Sequence, residues 1–154
     1  ERVRISSSAL EGKGLLFDRF RERKLLDYYL EPAALKNGLS LQEARLLLCL
    51  RQSGAGTRRE LADFAGLSRG ALSMLLNRLE GKGLVTAAEF REPESRERRI
   101  EISFPPDAAS LLADLETARQ DYAAARLAGF SPEERAQYER LAGRVQDNIR
   151  DVLQ

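Results

Sequence analysis

The stretch TRRELADFAGLSRGALSMLLNRLEGKGLV, Thr57 to Val85, limits the possible fold more than any other part of the chain. It divides into two short helical pieces. Thr57 is a side-chain cap for the first, and Ser68 opens the second after the tight turn at Gly66. In the second piece Leu72, Leu75, Leu76 and Leu79 recur every three or four residues, which places them on one face of a helix. Gly83 stops it. The opposite face carries Gly70, Ser73, Met74 and Asn77, where a helix that only needs solubility would carry Glu, Lys and Gln. Two short helices at a tight turn, the second with a small and polar outer face, form a helix-turn-helix pattern.

The flanks extend this unit. Downstream, LVTAAEF and IEISF are two β-prone runs around the charged loop REPESRERR, which predicts a hairpin with a projecting tip. Upstream, Ser40 and Glu43 form a capping box that opens an apolar helix, LQEARLLLCLRQSG, expected to lie centrally and to end at Gly54 or Gly56. A further helix is predicted over residues 9–36, with a kink or break at Pro32. Pro105 and Pro106 end the hairpin, and a long helix with Leu111, Leu112, Leu115, Ala118 and Tyr122 on one side follows. Ser131, Pro132 and Glu134 start a last helix, whose stripe of Tyr138, Leu141, Val145, Asn148 or Ile149, and Val152 needs a covering surface. A second subunit would provide one. Phe17, Phe20, Tyr28 and Tyr29 are read as core or dimer packing. The fold class is therefore mostly α with a small β-wing. Three regions follow: 1–38 and 105–154 as dimerisation helices, and 39–104 as a winged helix-turn-helix, all within one compact domain.

Composition narrows the chemistry. The chain has one Cys and no His, which removes an intramolecular disulfide, a Cys/His zinc site and any catalytic triad with a His base. The carboxylates show no companion constellation and there is no glycine-rich phosphate cradle, so neither enzyme activity, nor a metal, nor a cofactor is predicted. Cys49 lies within LLLCL and reads as a small buried hydrophobe rather than an oxidation sensor. No apolar run is long enough to span a bilayer and no signal-peptide pattern is present, which predicts a cytoplasmic protein with no membrane partner. Net charge is +1. Residues 1–56 hold 10 basic and 7 acidic side chains, whereas residues 105–154 hold 6 and 9, so the cations gather away from the C-terminal helices.

In the order of its elements the chain resembles the multiple-antibiotic-resistance regulator (MarR) family of bacterial transcription factors. The resemblance covers about residues 15–153. It rests on GLSLQEARLLLCL, on the helix-turn-helix segment and on the wing REPESRERRIEIS. It implies a homodimer that presents two winged helices to an imperfect palindrome of double-stranded DNA. It also implies repression relieved by a small aromatic or amphipathic effector.

Several residues carry the DNA reading. Arg69, Gly70, Ser73, Met74 and Asn77 line the outer face of the second helix, behind the cap Ser68. Small residues there let a helix enter the major groove; Asn77 can pair with adenine, and Met74 can touch a thymine methyl. The family often has a basic residue where Met74 stands and an acidic one where Asn77 stands, so base preference does not carry over. Family wings commonly read Asp-x-Arg-x-x-Arg or Lys; here Glu94, Arg96 and Arg99 take those places. Arg96 is expected in the minor groove, with Arg98 and Arg99 divided between phosphate contact and bracing. Thr57 and Arg58, at a helix N-terminus, are expected near a phosphate. Lys82 and Arg78 are further candidate phosphate contacts, with an ion-pair role favoured for Arg78. The alternative is a winged helix that binds protein, which would need an apolar patch on this same face.

Overall fold

The computed structural model describes residues 14–153. Its elements are α1 (Gly14–Lys36), α2 (Leu41–Gln52), β1 (Ala55–Gly56), α3 (Arg58–Ala65), α4 (Arg69–Gly81), β2 (Thr86–Arg91), β3 (Arg98–Ser103), α5 (Ala109–Arg126) and α6 (Pro132–Leu153). A single 3-10 turn, Pro106–Ala108, leads into α5. The start of the expected 9–36 helix lies outside the described residues. The rest of it is α1, which runs through Pro32 to Lys36 without a break. Pro32 forgoes one backbone donor on an exposed side, while Leu30 and Ala34 next to it are buried and hold the helix together.

Four caps form as their residues dictate, at Ser40, Thr57, Ser68 and Ser131. Ser40 and Glu43 close a reciprocal box on α2, with Ser40 Oγ accepting from the Glu43 N–H at 3.1 Å and Glu43 Oε1 accepting from the Ser40 N–H at 3.0 Å. Thr57 Oγ1 accepts from Glu60 N and Ser68 Oγ from Ala71 N, each at 3.1 Å. Gly66 takes φ 68° after α3 and Gly83 φ 70° after α4, a left-handed backbone that favours glycine. Helix α2 ends at Gln52 rather than at a glycine, because residues 55–56 turn into a strand.

That strand completes an antiparallel sheet in the order β1–β3–β2. Glu89 lies opposite Ile100, and Phe90 opposite Arg99. Ile100 and Ile102 point inward from β3 and join Leu46, Leu47 and Leu50 of α2, Leu61 of α3 and the leucines of α4 in one core. From α5, Leu111, Leu112, Leu115 and Ala118 complete it. Each fully buried leucine contributes about 1.5–3 kcal/mol. Helix α2 thus lies centrally, with α3, α4 and the sheet on one side and α1 and α5 on the other.

The long helices are less covered. Phe17, Phe20 and Tyr28 of α1 are exposed, so they are not core in this subunit. Helix α6 contains no buried residue at all.

Candidate nucleic-acid interface

The inner face of α4 fixes the outer one. Leu72, Leu75, Leu76 and Leu79 are all at most 2% exposed, so rotation of the helix would cost core burial. Arg69, Gly70, Met74, Asn77 and Arg78 therefore face solvent, and Ser73 is half-buried at the edge. A Cβ added at Gly70 would meet nothing within 4 Å. The protein's own packing gives no reason for glycine there, although glycine in a helix costs about 0.5–1 kcal/mol relative to alanine.

The hairpin stands beside this face. Strands β2 and β3 hold the loop 92–97, where Arg96 is exposed. Among the described residues neither Arg96, Arg98 nor Arg69 takes part in an ion pair. Arg99 does: its Nε lies 3.5 Å from Glu92 Oε1 across the base of the wing. Of the two arginines divided between contact and bracing, Arg99 braces and Arg98 is open.

Arg58 is not a free cation. Its Nη2 donates to Glu89 Oε1 of β2 at 2.7 Å and its Nη1 to Ser73 Oγ of α4 at 3.3 Å. The Arg58 hydrogen bond and charge, followed by a weaker opposing desolvation and the charge of Arg98, hold the Glu89 carboxyl below its usual range. Thr57 caps the same helix start.

Arg58 thus ties the wing strand to the outer edge of α4, and known proteins share the fold that carries these elements. Residues 37–100 match the MarR family. The transcriptional regulator PA3341 is 29% identical, with 91% of this chain and 98% of that one covered and a TM-score of 0.71.

The winged helix of this chain is similar to that of the MarR family.

Two further solved structures share the fold. A mutant MarR from E. coli complexed with operator DNA is 22% identical, covers 87% of this chain and 91% of its own, and has a TM-score of 0.60. NadR in complex with 4-hydroxyphenylacetate is 19% identical, covers 94% and 96%, and has a TM-score of 0.66. No curated protein matches the chain in sequence.

Near the end of α4, ion pairing falls on Lys82 and not on Arg78. Arg78 forms no ion pair among the described residues and sits in the last turn of α4, where a cation opposes the helix dipole. Lys82, the C-cap residue of α4, is the tethered one. Its Nζ lies 3.0 Å from Glu43 Oε1, 2.8 Å from Glu43 Oε2 and 2.9 Å from the Gly38 carbonyl. Burial raises the Glu43 carboxyl, but the Lys82 ammonium and the Ser40 bonds outweigh it and leave it below its usual range. Glu43 is 3% exposed whereas the Lys82 side chain is 40% exposed, so the pair is shielded from water at its carboxylate end only. One residue earlier, Asn37 Nδ2 donates to Asp114 Oδ2 of α5 at 3.2 Å, as does Lys36 Nζ at the same distance. The corner 36–43 thus joins the end of α4 to α5. Sequence spacing places Glu43 in a cap but gives no hint that Lys82, far along the chain, shares it.

Cys49 is half-buried, and burial raises its thiol despite the opposing charge of Arg45. A raised thiol is a poor thiolate source, which fits the packing reading. No cluster of potential metal ligands occurs among the described residues, nor is any described helix long and apolar enough to cross a membrane.

Proposed function

We propose that the protein is a dimeric, sequence-specific DNA-binding regulator whose two α4 helices enter successive major grooves of an imperfect palindrome. The carrying observation is the contrast across α4: a fully buried leucine face behind an outer face on which Gly70, Met74 and Asn77 are exposed and Ser73 is half-buried beside Arg58. In this reading Gly70 lets the helix approach closely, Ser73 and Asn77 read base edges, and Met74 contacts a thymine methyl. Arg96 enters the flanking minor groove, Arg69 and Arg98 contact phosphate, and the N–H groups behind Thr57 and Ser68 support the backbone. The protein-interaction alternative would need an apolar patch here, and on α4 only Met74, 47% exposed, is large and apolar.

Dimerisation is assigned to α1, α5 and α6, whose exposed Phe17, Phe20, Leu141 and Val145 need covering. Repression follows from occlusion of a promoter. The effector is assigned to a groove of about 730 Å³ between α1 and α5, lined by Tyr28, Tyr29, Pro32, Lys36, Asp114 and Asp121 among others. Its size suits a small molecule. It ends at the Lys36–Asp114 pair, beside the corner that Lys82 holds, so a ligand there bears on the placement of α4. A structural relative, NadR, is known in complex with a small aromatic acid.

The test is selection of bound fragments from genomic DNA, followed by titration of the selected site with the native protein and with Arg96→Ala. Nanomolar binding that survives competitor DNA and weakens at least tenfold in the variant supports the reading. Weak binding, equal for every sequence and unchanged by the substitution, refutes it.

A further inference from the structure

Most cations of the proposed DNA face are open, but Arg58 is already occupied. Its guanidinium spans two elements, donating to Glu89 of the wing strand and to Ser73 of the reader helix. The Glu89 side chain is 46% exposed and that of Arg58 42%, so water reaches the pair. Solvated pairs of this kind contribute about 0–1 kcal/mol. A phosphate offers the same fork of acceptor oxygens with comparable charge. Exchange of carboxylate for phosphate at Arg58 is therefore cheap, but it needs a phosphate close enough to displace Glu89.

We propose that Glu89 is a built-in phosphate surrogate: it masks Arg58 in the free protein and in loosely bound complexes, and yields it to DNA only when α4 is fully seated in the groove. The proposal rests on the DNA-binding reading above. Geometry explains the selectivity. Arg58 also touches Ser73, on the outer face of α4, so the phosphate that claims Arg58 lies beside the groove that α4 occupies. A protein resting on the DNA backbone through the wing arginines alone leaves the Arg58–Glu89 pair closed. The mask thus lowers affinity for random DNA more than for the specific site. It makes Glu89 a specificity-determining residue that contacts no base.

The experiment is a salt series with the full chain, on the selected site and on random duplex, for four proteins: native, Glu89→Gln, Arg58→Met and the double variant. Each phosphate neutralised adds about 0.9 to the slope of log affinity against log salt. For Glu89→Gln the expected result on random duplex is a slope steeper by about one and affinity raised several-fold, with the slope on the specific site unchanged. In the Arg58→Met background the same substitution leaves the random-duplex slope unchanged. Equal steepening in both backgrounds would show that Glu89 is only a repelling charge, and would overturn the proposal. So would no change in the native background. Both positions are solvent-exposed, and thermal melts confirm that each variant is folded. If the native protein prefers no site over random duplex, the DNA-binding reading itself fails, a result distinct from any response to Glu89→Gln.

Discussion

Helices α4 and α6 look alike as sequences and differ completely as structures. Both carry an apolar stripe at helical spacing. In α4 the stripe is sealed by its own subunit, and Leu72 and Leu79 have no exposed surface. In α6 the stripe is open, with Leu141 43%, Val145 45% and Val152 84% exposed. An amphipathic pattern states that a face needs covering, not what covers it. For α4 the cover is α2, α3 and the sheet. For α6 one contact from the winged helix is an Arg59 side chain donating to the Leu153 carbonyl at 3.3 Å, which seals nothing. The first helix is a finished part whose outer face is exposed, and the second leaves its apolar stripe uncovered among the described residues.

The largest effect should come from breaking the finished part. Leu72→Ala is expected to cost about 2–5 kcal/mol of unfolding free energy, read by urea denaturation, because the surrounding core cannot collapse into the space. The same truncation at Val145 should leave subunit stability almost unchanged when measured at concentrations where the protein is monomeric. A comparable loss there would show that α6 packs within its own subunit.

Next comes the joint between reader and long helices. Removing one partner of a shielded ion pair costs about 3–5 kcal/mol when both are buried. Lys82 is 40% exposed, so for Glu43→Gln we expect less, about 1–2 kcal/mol. The sign with pH is defined. The folded Glu43 pKa lies below the ordinary 4.5, so the pair stabilises fully above that value and is lost as pH falls through the lower, folded value. Urea midpoints from pH 7 down to pH 3 should therefore drop more in the native protein than in Glu43→Gln. Parallel curves would contradict the assignment.

The open stripe gives a smaller and concentration-dependent effect. Leu141→Asp is expected to weaken dimerisation at least tenfold, about 1.4 kcal/mol, in sedimentation equilibrium, with little change in helix content. The smallest effect is the most diagnostic. Gly70→Ala should raise stability by about 0.5–1 kcal/mol, since the new methyl has open space and alanine is the better helix former. It should at the same time weaken binding to the selected site. A variant that is both more stable and a poorer binder separates the outer face of α4 from its inner one; equal binding would show that Gly70 has no role in approach.

Much of this was legible in the residues. The leucine spacing of α4, the caps at Ser40, Thr57, Ser68 and Ser131, and the hairpin around the charged loop are local signals, and local chemistry realises them. Strand β1 escaped because two residues have no periodicity; it exists only because Gly54 accepts from Ile102 N at 2.7 Å, a contact made by the fold. At Pro32 a break is absent for the opposite reason: α1 runs on past a local breaker, with Leu30 and Ala34 buried on either side. At the site, the exposed residues of α4 and the wing followed from helix phase and hairpin order. Ion-pair partners did not. Arg58 with Glu89, Lys82 with Glu43 and Asn37 with Asp114 are separated by tens of residues, and only the assembled core brings them together.

The two helices meet in one measurement, a hydroxyl-radical footprint of the native protein on its selected site. If α4 reads DNA and α6 pairs subunits, the footprint has two-fold symmetry, with two protected half-sites centred about 10–10.5 base pairs apart or a multiple of that spacing, and extra protection where Arg96 enters the flanking minor grooves. A single unsymmetric patch, or protection that slides without preference along the duplex, would contradict the account.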